Sequence, residues 1–354
     1  MRLDSLTGLR AFAALLVFGR HIAYLFEGAE VNFLSPGMVG VSFFYVLSGF
    51  VLTWTAKPGD SSWLFFQRRF ARVYPAYAVA WLVSMALIVI SSESPVWQDL
   101  FALTLLQSWF PDEAIYSGAN VVFWSISCEA FFYLVFPWIF PLAQRLTQTG
   151  RLTVIAACLA LVWVAAAIND PLVPGSVGHW FIYFFPPTRM LEFIIGIMLA
   201  LQIKHGTRRF QVPLWAASLI ALAAYMAAAF VPDSYMRVAV TLAPFALLVF
   251  AAAQTDLAGK ASLYRLPVFV TLGVWSYCFY LIHTQVLAVG WTTLNVAFGF
   301  APEGQPLSVL VPALAGMLFA GVVASAMLHK AVEAPLEKRL RPAQRTLEPA
   351  SPRG

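Results

Sequence analysis

Long apolar segments separated by short polar loops are the dominant pattern along the chain. A membrane-spanning helix needs about 20 apolar residues, because each residue adds about 1.5 Å and the hydrocarbon core of a bilayer is about 30 Å thick. Segments of this kind recur from one end of the chain to the other. They predict ten membrane-spanning helices, at residues 9–26, 37–56, 73–91, 121–143, 152–168, 186–203, 212–230, 238–253, 267–292 and 307–329.

One further apolar stretch, residues 97–110, is too short to cross a bilayer and has acidic residues at both ends. It predicts an interfacial or re-entrant segment. The sequence contains no long polar region that would form a separate soluble domain. We therefore expect an all-α integral membrane protein, with a transmembrane domain over residues 1–330 and a charged cytoplasmic tail over residues 331–354.

The composition agrees with this pattern. Of the 354 residues, 60% are hydrophobic and 11% are charged, whereas soluble domains carry about 25% charged residues. The net charge of +5 does not indicate nucleic-acid binding, because the basic residues fall in short loops between apolar segments. Three cysteines, Cys128, Cys158 and Cys278, lie inside apolar segments and are predicted to be small core residues.

The distribution of basic residues predicts the orientation of the chain. With a cytoplasmic N-terminus, most of the 22 basic residues fall in inside loops or in the tail, and only Arg237 falls in an outside loop. The outside loops carry acidic residues instead. Because cytoplasmic loops are enriched in Lys and Arg, we expect both termini in the cytoplasm and the protein in a bacterial inner membrane.

Several ionisable residues lie inside the predicted spans, where each costs about 2.5–3.5 kcal/mol on insertion scales. One interpretation is that they pair with one another and only hold helices together. Their number in a chain of this length favours a polar reaction or transport pathway instead. They are Arg10, Arg20, His21, Glu129, Arg189, Glu192 and His283.

The first predicted span places Arg10 and His21 on one helix face. They are 11 residues apart, which is close to three full turns and about 16 Å along the axis. Arg10 lies near the cytoplasmic entry and His21 well across the bilayer. The face offers an anion site at one end and a titratable base at the other. The pantetheine arm of coenzyme A is an extended chain of comparable length.

A second basic group, Arg68, Arg69 and Arg72, lies between the second and third predicted spans. Arg69 and Arg72 are spaced i, i+3, so on a helix they share a face. Guanidinium groups bind phosphate with two parallel hydrogen bonds. Ordinary positive-inside charge is the alternative interpretation, but it does not explain why three arginines crowd against the start of a span.

Further candidates for substrate contact lie in three other spans. Ser125 and Glu129 are spaced i, i+4 and share a face, next to Trp124. The other candidates for substrate contact have a structural alternative. Arg189 and Glu192, spaced i, i+3 in the sixth predicted span, are also predicted to form an internal ion pair. His283, in the ninth predicted span, is also predicted to be a hydrogen-bonded core residue.

The ordered set of motifs resembles the acyltransferase family 3 membrane proteins over nearly the whole chain. The resemblance implies a fold of ten spans, an acyl-coenzyme A donor (commonly acetyl-coenzyme A), a carbohydrate acceptor and no metal. It also implies donor binding and catalysis by the Arg-His motif of the first helix, and donor binding by the basic pair at the cytoplasmic face. The motifs are Leu6-Thr7-Gly8-Leu9-Arg10 with His21, Phe43 to Phe50, Arg69 and Arg72 with Tyr74-Pro75, Trp124-Ser125 with Glu129 and Tyr133, Arg189 with Glu192-Phe193 and Gly196, Ser276-Tyr277, Tyr280 to His283, and Glu333-Ala334-Pro335. Departures from the family pattern fall at Thr7, Cys128 and Ala130, outside the residues to which it gives a role.

These observations support one mechanistic hypothesis and one alternative. In the hypothesis, the arginines hold the phosphates of acyl-coenzyme A, and His21 either deprotonates a sugar hydroxyl or takes the acyl group itself. Glu129 orients or charge-balances His21, and a cavity connects the basic cytoplasmic end with His21. The alternative is a secondary transporter or flippase, which midplane charges and broken helices also fit.

Overall fold

The computed structural model describes residues 3–23, 29–56, 61–173, 175–205, 211–302 and 305–340, and within these ranges the regular structure is entirely helical. The α-helices are α1 Asp4–Ala23, α2 Gly40–Thr55, α3 Ser62–Ile90, α4 Trp97–Phe101, α5 Glu113–Tyr116, α6 Trp124–Arg145, α7 Gln148–Leu172, α8 Gly175–Tyr183, α9 Pro186–Lys204, α10 Leu214–Ala228, α11 Val240–Leu257, α12 Pro267–Phe298, α13 Leu307–Leu328 and α14 Ala334–Leu340.

Nine helices in these described ranges are long and apolar enough to cross a membrane, so the prediction of an all-α multi-pass membrane protein is confirmed. The seventh predicted span, 212–230, corresponds to α10, which has only 15 residues. At about 1.5 Å per residue, α10 is shorter than the hydrocarbon core of a typical bilayer. Residues 97–110 form short helical pieces, none long enough to span.

Two boundaries differ from those predicted by hydrophobicity. Helix α3 begins at Ser62, 11 residues before the predicted span, so the three arginines lie on a helix and not in a loop. After α13, a π-helical turn at His329–Glu333 leads directly into α14. Residues 331–340, which the sequence assigns to the tail, therefore continue the last helix. Glu333 within them is fully buried, so this part belongs to the folded membrane domain.

Part of the predicted orientation concerns residues that the structure does not describe. The orientation therefore stays a prediction. The basic residues outside the described ranges are Arg2, Lys57, Arg208, Arg209, Arg341, Arg345 and Arg353, and the acidic residues of the predicted outside loops with no described side chain are Glu27, Glu30, Asp170 and Glu303.

Close helix packing at glycines brings the functional helices together. Gly49 of α2 and Gly196 of α9 face each other so closely that a Cβ on either would lie 2.0 Å from a backbone oxygen of the other helix. Small residues allow membrane helices to approach in this way. Helices α1 and α12 pack side by side in the same direction, and Gly273 lies against the backbone of Thr7. These contacts fix the register between the helices that carry the candidate residues.

Candidate active site

A central cavity of about 960 Å³ lies between helices α1, α2, α3, α6 and α12. This volume is at the upper end of the range for ligand pockets, about 300–1,000 Å³. Its lining follows α2 from Val41 to Ala56, a length of about 22 Å along a helix. One end is basic. The other end is lined by Phe44, Ser125 and Tyr280. The shape suits a long, narrow ligand with an anionic end.

The basic end of the central cavity is formed by the arginine group on α3, as the sequence predicted. Arg68, Arg69 and Arg72 all line it, and Lys204 joins them from α9. The guanidinium of Arg69 lies over the ring of Phe65 at 5.7 Å, and its buried Nε has no hydrogen-bond partner among the described residues. A buried donor without a partner is costly, so an anionic ligand would satisfy it.

Arg72 is engaged differently from Arg69. Its Nη1 donates to Glu337 at 2.6 Å, and its Nη2 lies 3.2 Å from Glu333. Both carboxylates belong to the last helical segment, and Glu337 itself lines the cavity. Arg72 therefore already has anionic partners within the protein. A phosphate that binds Arg72 competes with Glu337 for it.

Arg10 and Glu129 face the middle of the central cavity. The Nε of Arg10 donates to Ser276 at 3.1 Å, and its guanidinium lies 5.9 Å from the ring of Phe44. Glu129 accepts hydrogen bonds from Ser48, at 3.3 Å, and from Tyr133. The middle of the cavity thus holds one positive and one negative side chain within a largely apolar membrane domain.

His21 lies next to His283. His283 Nε2 is 3.1 Å from His21 Nδ1, and the two rings meet edge to face at 4.9 Å. His283 is fully buried and His21 partly buried. This pair joins α1 to α12 across 262 residues of sequence. An imidazole in this setting is suited to accepting and returning a proton.

Two expectations about His21 are wrong. Glu129 does not support it, because the carboxylate bonds Ser48 and Tyr133, whereas the imidazole contacts Val17 and His283. Nor does the central cavity reach it, because neither histidine is part of the cavity lining. Phe44 and Tyr280, whose ring centroids are 6.2 Å apart, line that end of the cavity. His283 lies one helical turn beyond Tyr280, and its ring is 5.9 Å from the tyrosine ring.

Of the other predicted substrate-contact residues, only Ser125 lines the central cavity, where it bonds the Tyr280 hydroxyl at 2.7 Å. Trp124 packs its ring against Tyr183 and Phe184 in the core. Arg189 and Glu192 form a fully buried ion pair at 3.0 Å. The guanidinium of Arg189 also lies between two tyrosine rings. Their geometry matches the structural alternative of an internal ion pair.

Sequence reasoning gave no role to several polar side chains of the cavity. Ser48 and Tyr133 donate hydrogen bonds to Glu129, and Tyr280 lines the end of the cavity nearest the histidine pair. A usable signal was present for Tyr133, which follows Glu129 by four residues and so shares its helix face. Ser48 lies on another helix, and nothing in its spacing points to Glu129.

A second cavity of about 1340 Å³ lies between α9, α10 and α11. It is lined largely by apolar and aromatic side chains such as Trp54, Trp215 and Tyr264, and it shares Lys204 with the central cavity. None of the residues predicted to form the site lines it. The central cavity is therefore the stronger candidate.

Comparison with known proteins agrees with this chemistry. The sequence model of a family described as an acyltransferase domain matches residues 3–328. The chain belongs to this acyltransferase family. The acyltransferase is 37% identical to the acyltransferase MdmB of Streptomyces mycarofaciens over 377 aligned residues, which cover 99% of this chain and 96% of that protein. No solved structure matches it.

Two more distant relatives also match the chain. The acyltransferase is 28% identical to nodulation protein 10 of Rhizobium leguminosarum bv. viciae, over 80% of this chain and 83% of that protein. It is 26% identical to the putative peptidoglycan O-acetyltransferase YrhL of Bacillus subtilis, over 56% of this chain and 33% of that longer protein. The family and these names make the chain an O-acyltransferase, and they favour an enzyme over a transporter or flippase.

Proposed function

We propose that this acyltransferase moves an acyl group, most simply acetyl, from acyl-coenzyme A to a hydroxyl of a cell-surface or lipid-linked carbohydrate. We place it in a bacterial inner membrane with both chain ends in the cytoplasm. The observation that carries the proposal is the central cavity, which runs about 22 Å from an arginine-rich end toward the histidine pair. The peptidoglycan O-acetyltransferase named among the relatives supports a carbohydrate acceptor.

The central cavity matches the parts of acyl-coenzyme A in order. Arg68 and Arg69, with Lys204, hold the phosphates at the basic end, where guanidinium groups give short charge-assisted hydrogen bonds. The pantetheine arm then extends along the apolar faces of α2 and α6. This arrangement brings the thioester past Arg10 to the end lined by Phe44 and Tyr280.

The chemical step requires the donor to pass the rings of Phe44 and Tyr280, because neither histidine lines the cavity. When Phe44 and Tyr280 move apart, the thioester meets the acceptor hydroxyl beside His21. His21 takes the hydroxyl proton as the hydroxyl oxygen bonds to the thioester carbonyl carbon. The carbon–sulfur bond then breaks, and the leaving thiolate receives the proton from His21. The products are an ester of the carbohydrate and free coenzyme A, and the imidazole returns to its neutral form.

Arg10 and Glu129 act within the cavity in this proposal. Arg10 donates a hydrogen bond to a carbonyl oxygen of the donor's pantetheine arm, and the Glu129 carboxylate balances the charge of Arg10. Ser48 and Tyr133 keep the carboxylate oriented by donating hydrogen bonds to it. A charge inside a membrane domain is less costly when such partners are present.

Binding of acetyl-coenzyme A to the purified protein in lipid nanodiscs tests the donor assignment. We expect saturable binding that weakens by about 10–100-fold in Arg69→Ala, because a hydrogen bond to a charged group contributes about 1.5–3 kcal/mol. Arg145→Ala is the matched control, since Arg145 is exposed at the end of α6 and does not line the cavity. Equal affinities of the wild type and Arg69→Ala would refute the donor site.

The acceptor class is tested in cells. Mass spectrometry of surface glycans from a strain lacking the gene should show the loss of one kind of acyl ester. Complementation with the wild-type chain should restore that ester, whereas His21→Gln at equal membrane abundance should not. Unchanged glycan acylation in the deletion strain would rule out a surface carbohydrate as the acceptor.

A further inference from the structure

The histidine pair contains enough hydrogen-bond contacts to determine where its protons sit. His283 Nδ1 lies 2.9 Å from the backbone oxygen of Tyr280 and 3.2 Å from that of Phe279. A carbonyl oxygen only accepts hydrogen bonds, so His283 Nδ1 carries a proton. A neutral imidazole has one N–H, and His283 is fully buried, where a charge is costly. Its Nε2 is therefore an acceptor.

The same reasoning applies to His21. Its Nδ1 is 2.9 Å from the backbone oxygen of Val17 and 3.1 Å from His283 Nε2. Both partners are acceptors, so His21 Nδ1 carries the proton and shares it between them. The opposite assignment would place ring lone pairs against the carbonyl oxygens of Val17, Phe279 and Tyr280. The unprotonated, basic atom of His21 is then Nε2.

We propose that His283 is a positioning residue that holds His21 in the tautomer with Nδ1 protonated, so that Nε2 is the atom that takes the acceptor hydroxyl proton. This inference rests on the function proposed above. After the transfer, the His21 imidazolium keeps its Nδ1 proton directed at His283 Nε2 and the Val17 carbonyl. Both are acceptors and stabilise the charge. A histidine here occupies the place that a carboxylate has in a serine protease triad.

The surroundings of His283 fix the direction of its Nε2. The ring of Phe279 stacks on the His283 ring at 5.7 Å with an interplanar angle of 11°. The backbone oxygens of Phe279 and Tyr280 hold Nδ1 of the same ring by hydrogen bonds. Because neither contact depends on His21, His283 is preorganised before substrate binds. This arrangement also explains why Glu129 lies elsewhere, since His21 obtains its orientation without a carboxylate.

The protonation states of the ring nitrogens give a direct test in the resting protein. The chain has five histidines, so ¹⁵N-histidine labelling and solid-state NMR in lipid yield few signals. The His21 and His283 signals are assigned by their loss in His21→Gln and in His283→Gln. We expect both histidines of the wild type to be neutral, with Nδ1 protonated and Nε2 unprotonated. A protonated Nε2 on neutral His21 would overturn the inference.

Two substitutions separate positioning from packing. The side-chain amide oxygen of His283→Gln accepts a hydrogen bond near the position of Nε2, whereas His283→Leu fills space without an acceptor. We expect kcat to fall by at least about tenfold in His283→Leu, with KM for acetyl-coenzyme A unchanged, and to be partly restored in His283→Gln. His179→Leu is the control substitution, since His179 contacts Arg237 and not the pair.

Failure of this inference is distinguishable from failure of the proposed function. If His283→Leu keeps the wild-type kcat, or if Gln and Leu lower it equally, His283 does not position His21, although His21→Gln can still be inactive. If His21→Gln transfers acetyl groups at the wild-type rate, the proposed function of His21 fails, and the inference that rests on it fails as well. The NMR signals then report only the tautomer of a structural pair.

Discussion

The central cavity and the histidine pair share helices α1 and α12 but lie at different points along them. Near the start of α1 and α12, Arg10 and Ser276 face the cavity. Further along these helices, His21 and His283 lie outside its lining. The boundary falls at Phe44 and Tyr280. The region suited to holding a donor is thus separate from the region suited to proton transfer.

This difference has a chemical reason in the proposed reaction. A thioester held against an imidazole and water would be hydrolysed instead of being transferred to a carbohydrate. Closure of an active site against water suppresses that side reaction. An aromatic boundary that opens only during transfer would keep the donor intact while it waits. Binding of the donor and its chemistry are then separable by mutation.

The largest expected effect is that of His21→Gln. Loss of a general base lowers rates by about 10²–10⁴-fold, so kcat for acetyl transfer should fall by that amount. Affinity for acetyl-coenzyme A should be unchanged, because His21 does not line the central cavity. Discontinuous assays with labelled acetyl-coenzyme A measure kcat, and equilibrium binding measures the affinity for the donor. A loss of donor affinity as large as the loss of kcat would remove the distinction between the two regions.

Arg69→Ala should show the reverse pattern with a smaller effect. We expect KM for acetyl-coenzyme A to rise by about 10–100-fold, in line with the loss of one charge-assisted interaction. At saturating donor, kcat should stay within a fewfold of the wild type. Titration of the donor at fixed protein in nanodiscs separates the two parameters. An Arg69→Ala variant with normal KM and low kcat would place the arginine in the chemical step.

Phe44→Ala tests the boundary itself. An edge-to-face aromatic pair contributes about 0.5–1.5 kcal/mol, so losing it should raise the open population by roughly 2–10-fold. Diethyl pyrocarbonate should modify His21 faster by that factor, as measured by mass spectrometry of the peptide. His179, which lies away from the boundary and contacts Arg237, is the internal control. If His21 reacts no faster in the variant, Phe44 does not limit access to the pair.

The cavity was more predictable from sequence than the histidine pair. Arg10 and His21 share a face of one helix, and Arg69 and Arg72 share a face of another, so helix periodicity predicted which side chains point the same way. The partners of His21 and Glu129 depend on how α1, α6 and α12 align in space. That register is fixed by close contacts such as Gly273 against Thr7, which join residues far apart in sequence. Helix periodicity carries no information about it.

The start of α3 shows a second limit of sequence reasoning. Hydrophobicity predicted a span from residue 73, but the helix begins at Ser62. The added turns contain Arg68, Arg69 and Arg72, which lower the average hydropathy without disfavouring helix, since Arg is a good helix former. A criterion based on apolar length therefore makes the helix too short at its charged end. The same applies to the last helix, which continues to Leu340 through the buried Glu333.

The smallest expected effect concerns the competition for Arg72. Glu337 bonds Arg72 at 2.6 Å, and both side chains are partly exposed, at 26% and 31%. A pair of this kind contributes about 0.2–1 kcal/mol, so Glu337→Gln should tighten acetyl-coenzyme A binding by up to roughly fivefold, because Arg72 becomes available to a phosphate. Glu113→Gln, an exposed change outside the cavity, should leave the affinity unchanged. Weaker binding in Glu337→Gln would mean that the Glu337 carboxylate holds Arg72 in place for the donor. Glu337 would then preorganise the basic end of the cavity and would not compete with the phosphate for Arg72.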